Sequence, residues 1–249
     1  MRVVPPMLFA VALVGIWQLA AELKLINPIF FPSPGRTLRE LWDQGASGQL
    51  WQPLGATTLR MLYGWVLASA MGVALGVAIG TSRRARQYLE PMLELLRPLP
   101  ASAIIPVAIL FFGLSNAMST AVIAFGSLWP VLLATVQGLK LPEPQLLELC
   151  STLRLSKRQV LLKIELPGAL PDILAGARVG LAIALILAVV TEMQASLPGL
   201  GQNILLAQRS FRSPELYAGI VVLGIMGFIA NQVLLVAERR LLRWRAPSV

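Results

Sequence analysis

Six stretches of this chain are too apolar, for too long, to face water: Pro5–Ala21, Met61–Gly80, Leu99–Leu114, Ala117–Gly138, Ile173–Met193 and Leu216–Ala237. A helix needs about 20 predominantly apolar residues to cross the hydrocarbon layer of a bilayer. Hydrocarbon offers no partner for a backbone N–H or C=O, so these stretches must satisfy themselves as α-helices. The expected fold is an all-α integral membrane protein with about six transmembrane helices. Composition agrees: 56% of residues are hydrophobic and 13% charged, whereas soluble domains average about 25% charged. Six spans occupy about half the chain and leave no room for a second soluble domain of ordinary size. We expect one membrane domain over residues 1–249, with a first span and external linker in 1–55 and a core in 56–240.

The charges set an orientation. The chain carries 21 Lys and Arg against 12 Asp and Glu, a net charge of +9. These cations do not form a stripe with interleaved aromatics, so no nucleic-acid partner is expected. They cluster instead in alternate loops, and cytosolic loops are the ones that collect Lys and Arg. With the N-terminus in the cytosol, Arg2, Arg83, Arg84, Arg86, Arg97, Lys140, Arg154, Lys157, Arg158, Lys163, Arg178, Arg239, Arg240, Arg243 and Arg245 all fall inside. Only Lys24, Arg36, Arg39, Arg60, Arg209 and Arg212 fall outside. Both termini are therefore expected in the cytosol. The first apolar run lacks a small-residue cleavage site after it and reads as a retained span.

Several chemistries are excluded. There is no histidine, so neither a histidine-bearing zinc site nor a histidine-based triad is available. Cys150 is alone, so no intramolecular disulfide forms. No G-x-x-x-x-G-K-[ST] phosphate loop occurs; Gly80-Thr81-Ser82-Arg83 lacks the lysine and the second glycine. An enzymatic role is not expected.

Within the spans, Gly64, Ala68, Gly72, Gly76 and Gly80 give the second a face on which another backbone can approach closely. Pro100 and Pro106 bend the third. Ser33-Pro34-Gly35 announces a turn and a short amphipathic helix, while Pro198, Gly199, Gly201 and Pro214 give residues 195–215 the look of a loop.

The cytosolic loop 140–172 is the most polar long stretch. Residues 145–153 and 157–164 have leucines at helical spacing, with Ser156 placed to cap the second segment. Two readings fit that periodicity: a segment lying on lipid headgroups, or a pair of short helices whose apolar faces dock on a partner protein.

In this loop Glu148, Ile164, Leu166 and Pro167 fall at the spacing of the cytoplasmic EAA loop (Glu-Ala-Ala, three residues, Gly, nine residues, Ile-x-Leu-Pro). It resembles the permease subunits of binding-protein-dependent ABC importers. Leu149 and Cys150 stand for the two alanines and Arg154 for the glycine. Phe31-Pro32-Ser33-Pro34, Thr57-Thr58-Leu59-Arg60, Phe111-Phe112-Gly113, and Glu192-Met193 followed by Gly199-Leu200-Gly201 are similar to other stretches of that family. The likeness covers nearly all of residues 30–240, in the nitrate, sulfonate, taurine and bicarbonate branch. The resemblance implies the type I importer permease fold, in a bacterial inner membrane. It implies a path for a small anion delivered by a solute-binding protein, and two permease copies joined to two ATPase subunits. No cofactor is expected on this chain, with ATP and Mg on the ATPase. It further implies ATPase contact through Glu148, Ser151, Arg154, Leu155, Ser156, Lys157, Ile164, Leu166 and Pro167. The competing reading is a stand-alone secondary transporter or channel, which favours midplane charge pairs or internal repeats; neither is evident here.

Polar residues inside spans are path candidates: Ser127, Thr191, Glu192 and Gln194, with Met193 beside them. For Glu192 we also expect an interfacial pairing with Arg209 or Arg212. Arg178 is expected to snorkel to the inner headgroups.

Overall fold

A computed structural model describes residues 4–139 and 149–243. Among them every regular element is helical. α1 (Val4–Glu22) leads to α2 (Pro34–Ala46), the long α3 (Trp51–Thr81), α4 (Arg83–Leu96), the short α5 (Ile105–Phe112) and α6 (Asn116–Gly138). The 39-residue α7 (Lys157–Ala195) follows, and then α8 (Leu200–Arg209) and α9 (Ser213–Leu241). Four of these, α3, α6, α7 and α9, are long and apolar enough to cross a membrane; α4 and the segment Ala101–Phe112 make a fifth, bent by 85° at the break between them. α1 is a further apolar helix of 19 residues whose Leu8, Phe9, Val11 and Ile16 are all exposed, as suits a helix in lipid.

The core is a three-helix packing of α3, α6 and α7. The small residues of α3 lie along α6 as expected. A Cβ on Gly72 would stand 2.9 Å from the Val131 Cβ, and one on Gly76 2.5 Å from the Thr135 Cβ. On α7, a Cβ on Gly176 would stand 2.7 Å from the Pro130 carbonyl oxygen. Lipid tails are as apolar as leucine, so helices here associate through close packing rather than by expulsion of water. Met61, Ile123, Val131, Ala184 and Ala188 fill the seams and are almost fully buried.

Three expectations need correction. α3 begins at Trp51, ten residues before the expected Met61. Thr57, Thr58 and Arg60 make that segment look like loop, but all three find partners inside the protein: the Thr58 hydroxyl donates to the Leu54 carbonyl one turn back (2.7 Å), and Thr57 and Arg60 both bond to Glu192. Residues 195–215 are not one loop. Leu200, Gly201, Ile204 and Ala207 are buried at helical spacing and α8 forms around them. The third span is a broken pair, with Pro98 and Pro100 at the break, where neither has an N–H to continue a helix.

Four helices end on a residue in the left-handed conformation, and none of the four is glycine: Lys24, Arg154, Ser196 and Phe211, with φ between 50° and 56°. Each is followed by the same closing bond, an N–H reaching back five residues to a helix carbonyl: Leu25 to Ala20, Leu155 to Cys150, Leu197 to Glu192 and Arg212 to Ala207. That is the bond of the Schellman ending, which satisfies a carbonyl the helix has left open.

Candidate functional site

The elbow that precedes α7 is built from its own backbone. Residues 149–152 finish a helix. Its closure is the Schellman ending at Arg154: the Arg154 N–H donates to the Ser151 carbonyl (3.0 Å) and the Leu155 N–H to the Cys150 carbonyl (3.1 Å). Arg154 stands where the EAA pattern has its glycine, and it adopts the φ of +50° that a glycine takes more cheaply. The next helix is started by Ser156 through a reciprocal capping box. The Gln159 N–H donates to Ser156 Oγ (3.3 Å) and the Ser156 N–H to Gln159 Oε1 (2.8 Å). The chain then makes one π turn, Leu161–Glu165, and continues into the rest of α7. Of the residues named from the sequence, Ser151, Arg154, Ser156 and Lys157 are exposed, and Leu155, Ile164, Leu166 and Pro167 are half-buried. Glu148 lies outside the described residues. Leu149, Leu153 and Leu162 are 54%, 61% and 51% exposed, an apolar surface on an otherwise cationic segment.

At the opposite end of α7, Glu192 is fully buried. Its partner is neither Arg209 nor Arg212: Arg212 pairs with Glu215 instead. Arg60 of α3, itself 7% exposed, donates through Nη1 to Glu192 Oε1 at 2.6 Å and through Nε to Asn116 Oδ1 at 2.8 Å. The Thr57 hydroxyl (3.0 Å) and the Gly201 N–H (2.8 Å) both donate to Glu192 Oε2. Thr57 Oγ1 in turn accepts the Leu200 N–H at 2.9 Å. One carboxylate thus ties α3 to α7 and to the start of α8, and Arg60 adds the start of α6. The glycines beside it are required: a Cβ on Gly199 would overlap the Glu192 carboxyl group, and one on Gly201 would lie 2.5 Å from the Val189 carbonyl oxygen. A buried ion pair survives only where further hydrogen bonds satisfy both ions, and here they do.

Sequence reasoning picked out Glu192 but missed Arg60, Thr57 and Asn116. The available signal was that Arg60 follows Thr57 by three residues, one helical turn, just ahead of an apolar run. Of the other path candidates, Thr191 is buried and bonded to Ser119 (2.6 Å), and Ser127 is buried with no partner for its hydroxyl. Met193 is half-buried and Gln194 exposed. Arg178 does not reach out alone: it pairs with Glu238 of α9.

Long apolar helices around a buried polar clasp, with a broken span beside them, mark a multi-pass membrane protein. Residues 69–245 match the family described as binding-protein-dependent transport system inner membrane component. The chain belongs to that family, and is the membrane-spanning permease subunit of an ABC importer. It is 31% identical over 239 residues to SsuC of Bacillus subtilis (strain 168), whose name gives it as an aliphatic sulfonates transport permease; the match covers 96% of this chain and 87% of that one. It is 33% identical over 237 residues to the taurine transport system permease protein TauC of Escherichia coli (strain K12), covering 93% and 86%. Among solved structures, an inward-facing form of the MetNI methionine ABC transporter shares the fold with a TM-score of 0.67 at 16% identity. That match covers 76% of this chain and 94% of the other.

Proposed function

We propose that this permease carries a small organic anion of the sulfonate type, taurine or an alkanesulfonate, received from a binding protein outside the cell. It works as a pair of identical copies, driven by two ATPase subunits that grip the elbow between α6 and α7. The whole chain acts as one membrane domain, residues 56–240 being its core, and both termini lie in the cytosol. ATP and its Mg are held by the partner ATPase.

The observation that carries the coupling reading is the elbow. Its turn and capping box hold its shape with local bonds, yet Leu149, Leu153 and Leu162 stay exposed beside Arg154, Lys157 and Arg158. A preformed surface with apolar knobs and a cationic rim fits a protein groove. The names of the relatives support the solute class. For Ser127, Thr191 and Glu192, complete burial supports a packing role, and Gln194 remains a contact for solute at the outer end.

The test is co-purification. The tagged chain, co-expressed with the Walker-motif protein encoded beside it, should bring that protein down. Leu153→Asp with Leu162→Asp should abolish capture while leaving the amount of folded permease unchanged. Capture that survives both substitutions would end the elbow reading. Calorimetry of the neighbouring binding protein with taurine and ethanesulfonate tests the solute class.

A further inference from the structure

Arg60 of α3 and Arg178 of α7 are both matched: Arg60 holds Glu192 and Arg178 holds Glu238. A third arginine, Arg97, which the sequence groups with the cytosolic cations, sits at the break between α4 and α5. It is exposed, and among the described residues it forms no ion pair. Glu90 and Glu94 of α4 border a small adjoining cavity with it, yet neither comes within 4 Å as an ion pair.

Arg97 opens on a cleft of 510 Å³ whose other walls include Ser102, Gly126, Trp129 and Ile186. The depth of this cleft follows from helix geometry. Trp129 is 13 residues into α6, about 20 Å from its outer end, and Ile186 is 9 residues from the outer end of α7, about 14 Å. Both lie well inside a hydrocarbon layer roughly 30 Å thick. Non-helical backbone is tolerated at such depth only where it is buried in protein or lines a watery cavity. The break is seated firmly. A Cβ on Gly126 would stand 2.9 Å from the Ala101 Cβ, so the glycine lets the chain after Pro100 lie directly against α6. Trp129, one of the cleft walls, keeps its indole N–H buried without a hydrogen-bond partner.

We propose that this cleft is the mid-membrane station of the transport path, and that Arg97 is the residue that contacts the anionic head of the passing solute. A guanidinium and the Ser102 hydroxyl offer donors to an oxyanion with no proton to give. The rest of the wall is apolar and accepts a short alkyl tail. The proposal rests on the reading of the chain as an anion permease, and its test separates the two.

The assembled transporter is placed in lipid nanodiscs with Cys150→Ser as background, and Ser102→Cys is labelled with two methanethiosulfonate reagents. One carries an ethylsulfonate tail and the other an ethyltrimethylammonium tail. A cleft lined by one sign of charge raises the local concentration of its counter-ion by tenfold or more. The sulfonate reagent should therefore react about tenfold faster than the cationic one. Arg97→Gln should erase that preference and Arg97→Lys should keep most of it. No labelling by either reagent, as when lipid or the second copy fills the cleft, overturns the proposal. So does a preference that survives Arg97→Gln. Ethanesulfonate uptake into proteoliposomes is measured in parallel. If wild-type transporter shows the labelling preference but takes up no ethanesulfonate, the sulfonate reading falls and the anion station stands. Uptake without a preference gives the reverse.

Discussion

The two ends of α7 are built on opposite plans. At its C-terminal end, Glu192 is enclosed and every oxygen is occupied: Arg60, Thr57 and the Gly201 N–H converge on one carboxylate. At its N-terminal end, the elbow completes its turns with local bonds and leaves its leucines in the open. The first region is finished within the subunit. The second has its shape but lacks a counterpart. Polar chemistry at one end is spent within the subunit, and apolar surface at the other stays bare.

Substitutions can break this contrast. The largest effect belongs to Arg60→Ala, which strands a buried carboxylate and should cost about 3–5 kcal/mol of stability. Thermal unfolding of the purified subunit in detergent would show it as a sharply lowered midpoint. Arg60→Met with Glu192→Met should recover only part of the loss, because the two ions leave together but the Gly201 N–H and Asn116 Oδ1 that they bonded are left without partners. Next comes Gly199→Ala, whose added methyl overlaps the Glu192 carboxyl. The same assay should record a loss of about 1–3 kcal/mol from overpacking.

Effects at the elbow should be smaller and local. Ser156→Ala removes the cap and should cost about 1 kcal/mol. Hydrogen exchange should report it as faster exchange confined to residues 149–165, with the global unfolding midpoint unmoved. Arg154→Gly is expected to be the mildest and of opposite sign. It relieves a side chain held at φ +50°, worth about 1 kcal/mol, and should slow exchange across the turn. A global midpoint that fell with Ser156→Ala would erase the distinction between the two ends.

Apolar runs and small-residue spacing made the long helices and the α3–α6 seam readable in the sequence, because those signals are physical requirements of a bilayer. The start of α3 was hidden by residues whose polarity is spent on partners far along the chain: Arg60 looks like a loop cation until Glu192, 132 positions away, is brought beside it. α8 was masked by the prolines and glycines that flank it, even though Leu200, Ile204 and Ala207 repeat at helical spacing. Helix ends were obscured for another reason. The expected stop letter is glycine, yet Lys24, Arg154, Ser196 and Phe211 fill that role here. Arg154 stands in the glycine position of the EAA pattern, and the backbone there adopts the glycine conformation with arginine.

One unbroken helix, Lys157–Ala195, joins the elbow to the clasp. At 1.5 Å per residue it is about 58 Å long, longer than the bilayer is thick. It is a pushrod with a handle at one tip and a rivet at the other. A tilt of about 10° imposed at the handle would sweep the far tip by about 10 Å if the rivet let go. With the rivet closed, α3, α6 and α8 must travel too, so a force applied at one tip is felt by every helix tied to the other.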